Sequence, residues 1–485
     1  MRVLMLGWEF PPFIAGGLGT ACYGLTKAFD RLGHTVVFVL PRPVDSSHAS
    51  HVRLLSPVAP AVSMPRGPVP NGAGPTSGGD AGGTGGTDWN APYRVAGFEH
   101  TVFRAVPATF SSPYPDFSQQ RRPAGSGPWA GVEWPPHAGP APWEEVPGEP
   151  RPGGHGPAAS ADGGVWVGSG GGYVGDVIGD SERYARLVVA LCRRETFDII
   201  HAHDWMTFPA GMALAYISGK PLVVHVHSTE FDRSGEHVNQ RIYDIERRGM
   251  HAATRVIAVS MLTKSVCVRR YGVSPDKIDV VYNGIDSETA QPPEGARVSS
   301  RDKIVLFLGR ITMQKGPEYF IAAARRVLEK VPEAKFVVAG AGDMAVRMIE
   351  LAAQYGIGHR VLFTGFLRGP QVDRIFRMAD CYVMPSVSEP FGIAPLEAMR
   401  NDVPVIISKQ SGVSEVLQHV LKVDFWDVDE MANKIVAVLR HPPLGQTLRE
   451  HGSFELRKLT WEGAAERCLQ TYHAAVEAQR AVARV

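Results

Sequence analysis

Short, unbroken apolar runs alternate with helical stretches twice along this chain, and that alternation limits the fold more than any other feature. RVLMLG at 2–7 is followed by the loop GWEFPPFIAGGLG, a helical pattern from Thr20 to Leu32 that stops at Gly33, and a second run, HTVVFVL, at 34–40. Strands buried on both faces read as continuous apolar runs, and parallel neighbours need a crossover between them. Strand, loop, helix and strand in this order open a parallel, doubly wound sheet. A helix at 180–194 then precedes the runs FDIIHAHD (197–204), VVHVHS (223–228), ATRVIAVS (253–260) and IDVVYNGID (278–286). Beyond Arg301 the pattern restarts as KIVLFLGR, helix, AKFVVAGAG, helix, RVLFTGF, helix, CYVMP, helix, PVIIS. SETAQPPEGARVSS, just before the restart, has linker composition. The expectation is an α/β protein of two Rossmann-like halves, 1–290 and 291–460, facing across a cleft. The last helical segment, 461–485, has no strand after it and is expected to cross back to the first half.

The first half carries an insertion of a different kind. Gly and Pro dominate between about 55 and 172, with 13 of them in residues 61–90. Such sequence buries too little apolar surface to offset its chain entropy, which predicts a largely disordered segment. YRVAGFEHTVFRAV (93–106) is the exception and reads as an added strand or hairpin. Five of the nine tryptophans, Trp89, Trp129, Trp134, Trp143 and Trp166, fall in the insertion. A sugar-stacking arm is one reading of them; incidental aromatics in filler sequence is the more economical one.

Composition removes several function classes. A net charge of +1 offers no nucleic-acid surface and no basic membrane patch. No apolar stretch approaches the ~20 residues of a transmembrane helix. The N-terminal apolar run is short and broken by Trp-Glu and Pro-Pro, unlike a signal peptide. The five cysteines are scattered and odd in number, neither a disulfide framework nor a zinc spacing. A cytoplasmic enzyme is expected.

In open parallel sheets, ligands bind beyond the carboxyl ends of strands, against helix N-termini. Four stretches satisfy that rule. Gly16, Gly17 and Gly19 lie just before the expected helix at Thr20; they permit close backbone approach to an anion or simply make a tight turn. GRITMQKG places Arg310 and Lys315 after a strand, where a planar fork and a point charge suit a diphosphate. SEPFGIAPLEAM (388–399) puts Glu389 before a helix expected to begin at Gly392 and Ile393, with Glu397 near the end of its second turn. Carboxylates grip sugar and ribose hydroxyls, although either glutamate alone also suits a helix N-terminus. HAHDW brings His201, His203, Asp204 and Trp205 to a strand end. Its His-x-His spacing, repeated at His225 and His227, supplies only two metal ligands per strand with no clear third, so no metal site is expected.

Two motifs compete for attention. GAGDMA (340–345) matches a dinucleotide fingerprint, but no acidic residue ends the next strand to hold a ribose. DVD (427–429) resembles a metal-binding pair, yet it directly precedes a helical run and reads as an N-cap.

Together these residues make the chain resemble the retaining, nucleotide-sugar-dependent glycosyltransferases of the two-Rossmann-domain (GT-B) fold, in the glycogen synthase and sucrose synthase-like group. The marks are Glu389 and Glu397 around Pro390-Phe391-Gly392, Arg310 with Lys315, and VYNGID at 281–286; GWEFPP…GGLGT and HAHDW are similar to the starch and glycogen synthase branch. The resemblance implies an acceptor-side first domain and a nucleotide-sugar-binding second one. By it, Arg310 and Lys315 neutralise the leaving diphosphate, and the N–H groups of Phe391, Gly392 and Ile393 complete the phosphate site. Glu389 would bond the donor sugar and Glu397 the ribose. Gly17 and Gly19 would approach the phosphates, His203 the anomeric centre with Asp204 beside it, Glu9 the sugar or acceptor, and Phe366 the base. The implied reaction is transfer of glucose from ADP- or UDP-glucose to an α-glucan, with no cofactor and no metal. Transfer of another hexose, such as mannose, to a small or lipid-linked acceptor, and a catalytically silent sugar-binding protein, are the alternatives. Two positions depart from the pattern: Ile14 stands where glucan synthases commonly carry Lys, and Ser411 where many relatives have Gly.

Overall fold

The computed structural model describes residues 1–10, 16–41, 99–105, 176–286 and 302–482. Apart from 99–105, the insertion with its five tryptophans lies outside the described residues, as do Ile14 and the linker at 287–300. Both sheets described below belong to one compact unit.

Among the described residues, β1 (Arg2–Leu6), β2 (Thr35–Leu40), β3 (Thr101–Ala105), β4 (Ile199–His203), β5 (Leu222–Val226), β6 (Arg255–Ala258) and β7 (Ile278–Val280) form the first sheet. Their order is β3-β2-β1-β4-β5-β6-β7, with every pair parallel. The second sheet contains β8 (Lys303–Leu308), β9 (Ala334–Ala339), β10 (Val361–Gly365), β11 (Cys381–Met384), β12 (Val405–Ser408) and β13 (Leu421–Val423). It runs β10-β9-β8-β11-β12-β13, again parallel throughout. Each order reverses direction once, between β1 and β4 and between β8 and β11. These are the switch points at which doubly wound sheets open a crevice. The expected α/β class with two Rossmann-like halves is therefore what the chain adopts, and YRVAGFEHTVFRAV contributes the edge strand β3.

The helix Gly17–Arg31 covers the first sheet through Leu18, Ala21, Cys22, Leu25, Ala28 and Phe29, the spacing of one buried helical face. It starts three residues earlier than the glycine content predicts. Glycine is a poor helix former, but Leu18 gains burial only if the first turn is helical, and that packing overrides propensity. Trp461, Ala464, Ala465, Cys468, Tyr472 and Ala475 of the helix Trp461–Val482 join the same core. The rings of Phe29 and Tyr472 stack at 5.7 Å, both fully buried, contributing roughly 2 kcal/mol each. All five cysteines are free and buried. Among the described residues no helix is long and apolar enough to cross a membrane.

Candidate active site

The loops that leave β1, β4, β8 and β11 flank the two switch points, and they carry most of the residues singled out by sequence. In the second half, Arg310 and Lys315 leave the end of β8 and Glu389 leaves the end of β11. Lys315 Nζ donates to Glu389 Oε2 at 2.5 Å, and Ser386 Oγ donates to the same oxygen at 3.3 Å. Glu389 is only 7% exposed, so its charge is held inside the protein by this partner. The Gln314 carbonyl accepts from Val387 N at 2.9 Å, sewing the two loops together, and Arg310 Nη2 donates to Gln314 Oε1 at 3.4 Å. Arg310, Lys315 and Glu389 are thus gathered at one spot.

GAGDMA serves that spot by packing. Ile311 N donates to Ala341 O at 2.9 Å and Met344 N to Ile311 O at 3.1 Å, so the turn after β9 braces the Arg310 loop. A Cβ on Gly342 would run into the Ile311 backbone, which explains the glycine without a dinucleotide. DVD likewise caps a helix: Asp427 Oδ1 accepts from Glu430 N at 3.0 Å ahead of Val428–Arg440.

Glu389 and Glu397 flank Gly392, whose φ of +102° is open to glycine and strained for other residues. A Cβ there would lie 3.2 Å from Glu389 Cγ and from Met384 Cε. The helix begins at Ala394, later than the sequence reading placed it, because Gly392 is not helical and Pro395 fits only a first turn. Glu397 consequently sits in that first turn rather than near the end of the second. Burial pushes its carboxyl up from the ordinary value, opposed by Arg400 and aided by Asp373. The Phe391 carbonyl accepts from Val413 N at 2.8 Å, tying the stretch to the loop that carries Ser411. Phe366 follows β10, the edge strand, and is 42% exposed with the Arg368 guanidinium 5.2 Å over its ring. It lies two strands away from β8 in the sheet.

In the first half, Glu9 follows β1 and is buried, while Gly17 and Gly19 occupy the first turn of their helix instead of a preceding loop. His203 ends β4 and Asp204 follows with φ of +58°, left-handed backbone that few non-glycine residues other than Asp and Asn adopt. Asp204 Oδ1 accepts from His227 N at 2.7 Å and Ser228 N at 3.3 Å, joining the ends of β4 and β5. Burial raises its carboxyl to about 7, against the lowering effects of Arg233 and those two N–H groups. His203 and His225 stand opposite each other in the sheet, and both are fully buried. The neighbouring strand therefore supplies the third imidazole that spacing along one strand did not reveal.

Sequence reasoning missed the contacts that join the halves. Ser388 Oγ donates to Asp232 Oδ1 at 2.6 Å, next to the Glu389 loop. Glu415 accepts from Met261 N at 2.9 Å and Leu262 N at 2.7 Å, and Thr263 Oγ1 donates to Pro390 O at 3.3 Å. Ser260 caps the helix Met261–Tyr271 by accepting from Thr263 N, a local bond that carries no sign of the junction.

Residues 293–453 match the family model described as Glycosyl transferases group 1, residues 149–289 that of Glycosyltransferase Family 4, and residues 2–69 the starch synthase catalytic domain. An uncharacterized glycosyltransferase of Methanocaldococcus jannaschii is 33% identical over 301 residues, covering 58% of this chain and 77% of that protein. A D-inositol 3-phosphate glycosyltransferase of an Arthrobacter species is 30% identical, covering 58% and 71%. A glycogen synthase of Mycobacterium tuberculosis is 27% identical, covering 58% and 70%. Among solved structures, sucrose-phosphate synthase from Thermosynechococcus elongatus superposes with a TM-score of 0.66 at 18% identity, covering 99% of this chain and 100% of that one.

Proposed function

Since this chain belongs to the GT-B glycosyltransferases, in the group that includes the glycogen and starch synthases, we propose that it moves glucose from ADP- or UDP-glucose to an α-glucan with retention at the anomeric carbon. The observation that carries the reading is the Lys315–Glu389 pair at 2.5 Å, with Arg310 on the same loop, at the switch point of the second sheet. Without donor, the carboxylate and the ammonium satisfy each other. When a nucleoside diphosphate sugar enters, Lys315 turns to the diphosphate together with Arg310, and Glu389 is released to accept from sugar hydroxyls. Phe391, Gly392 and Ile393 bring backbone N–H groups to the phosphate, and the missing Cβ at Gly392 lets the ligand approach. Glu397 takes the ribose, Phe366 lines the base, and Gly17 and Gly19 close on the phosphates from the first half. Glu9, His203 and Asp204 face the sugar.

The C1–O bond to the diphosphate breaks as its charge is spread over Arg310 and Lys315. The acceptor oxygen bonds to C1 on the same face, and its proton passes to the departing phosphate oxygen. Cations of the chain do the electrostatic work, so this step needs no metal. The loops meeting at Ser388 and Asp232 exclude water as the halves close, which limits hydrolysis of the donor. Buried free thiols fit a reducing compartment, and we place the reaction in the cytoplasm.

A second reading keeps the donor site and changes the acceptor to a small phosphorylated polyol, or the sugar to another hexose. The 30% identity to the D-inositol 3-phosphate glycosyltransferase favours it. A screen of ADP-glucose, UDP-glucose and GDP-mannose against glycogen, maltooligosaccharides and inositol phosphate, followed by nucleoside diphosphate release, separates the two. Release that depends on a glucan acceptor supports the first reading, and release only with inositol phosphate supports the second. No release with any donor would leave a silent sugar-binding protein and sink both.

A further inference from the structure

Beside the proposed sugar position, the first sheet holds an arrangement that the transfer chemistry does not need. Alternate residues of a strand share a face, so β4 presents His201 and His203 together. His225 on β5 and His227 just beyond it repeat the spacing, and the parallel register sets His203 against His225. Ring centroids are 4.2 Å apart for His201 and His203, 5.4 Å for His203 and His225, and 4.1 Å for His225 and His227. His201, His203 and His225 have no solvent exposure.

The hydrogen bonds among these rings leave two nitrogens over. The Tyr472 hydroxyl meets His201 Nδ1 at 2.6 Å, His201 Nε2 meets His225 Nδ1 at 3.2 Å, and His203 Nδ1 meets His227 Nε2 at 2.9 Å. His203 Nε2 and His225 Nε2 are buried with no partner among the described residues. A buried polar atom left unsatisfied costs about 1–3 kcal/mol, and two in one cluster call for a ligand that accepts both. One nitrogen from each of His201, His203 and His225 lies within 4.8 Å of the others.

We propose that His201, His203 and His225 bind one Zn²⁺ ion, and that the bound ion withdraws His203 from the donor sugar and so inhibits transfer. The inhibitory clause rests on the transfer function proposed above; the binding clause does not. Three imidazoles suit Zn²⁺ and leave a coordination position open, whereas Mg²⁺ and Ca²⁺ need oxygen ligands. The nearby Asp204 carboxylate is engaged by the His227 and Ser228 N–H groups. Zinc–nitrogen bonds of about 2.0–2.1 Å set tetrahedral ligand atoms roughly 3.4 Å apart, so the rings draw in by about 1 Å. His201 has no spare nitrogen, so coordination through its Nε2 takes the place of the hydrogen bond to His225 Nδ1, while Tyr472, from the C-terminal helix, holds the ring at Nδ1, as outer partners of metal-bound histidines do.

The test is a titration of chelator-treated protein with ZnCl₂ against a chromophoric chelator, with zinc-edge X-ray absorption on the loaded sample. Expected are one Zn²⁺ per chain, imidazole outer-shell scattering and no competition from Mg²⁺. His225→Asn should weaken binding at least about 10-fold and Tyr472→Phe about 10–100-fold. Circular dichroism checks that His225→Asn folds, and His201→Asn replaces it should it not. No stoichiometric zinc, or equal affinity in wild type and both asparagine variants, overturns the site. Added Zn²⁺ should slow transfer by the wild type and spare His225→Asn; wild-type zinc binding without inhibition refutes the inhibitory clause. Should no donor be turned over at all, the functional reading fails while the zinc titration still decides the site.

Discussion

Asp204→Asn isolates the cost of holding a carboxylate where this fold holds one. The residue sits at φ +58°, which asparagine tolerates, and its oxygen accepts two backbone N–H groups that an amide oxygen also satisfies. Burial raises the folded-state value from 3.8 to about 7. A raised acid binds its proton more tightly in the folded state, so its contribution is intact below pH 4 and is lost as pH rises towards 7. The interval is about three pH units, and at ~1.4 kcal/mol per unit the ionised group costs about 4 kcal/mol above pH 8. Asparagine does not titrate. The stability difference, variant minus wild type, should therefore grow in favour of the variant by about 4 kcal/mol between pH 4 and pH 8. Urea unfolding at a series of pH values on chelator-treated protein, followed by tryptophan fluorescence, measures it. A difference that stays flat with pH, or moves the other way, refutes the reasoning. On the proposed placement of Asp204 beside the sugar, transfer by the same variant should fall.

The histidine cluster titrates with the opposite sign. His201 and His227 are lowered to about 3 by burial, so their neutral forms stabilise the fold above pH 6.5, and together they should cost about 3 kcal/mol per pH unit on acidification between pH 6 and 4. A urea midpoint that does not fall over that window contradicts this. Gly392→Ala should cost about 1–3 kcal/mol in backbone strain and press on Glu389, lowering both melting temperature and kcat/KM; an unaffected enzyme would show that the position does not constrain the site. Asp427→Ala removes an N-cap and should cost about 1 kcal/mol with transfer unchanged; lost transfer would make DVD part of the chemistry.

The two sheets were legible because parallel strands buried on both faces cannot disguise their apolar runs. What escaped was short or depended on register. β13 is three residues with Lys422 at its centre, and no periodicity marks it. The loops after β8 and β11 could be read as one site because cations and carboxylates at strand ends have few structural reasons to be there. By contrast, His225 joins His201 and His203 only once β4 and β5 are known to be neighbours. Tyr472 reaches His201 across 271 positions of sequence, and Glu415 caps a helix 153 residues away. Local signals carry no trace of such partners. Helix starts were shifted in opposite directions, earlier at Leu18, where packing outweighs the glycines around it, and later at Ala394, where Gly392 and Pro395 act together.

Transfer from ADP- and UDP-glucose to a maltooligosaccharide, measured for the wild type, Lys315→Ala and Glu389→Ala with the product's anomeric configuration read by NMR, bears most directly on the central claim. An α-linked product from the wild type and loss of most transfer in both variants is the expected result. A β-linked product, no wild-type transfer from either donor, or undiminished rates in both variants would contradict it.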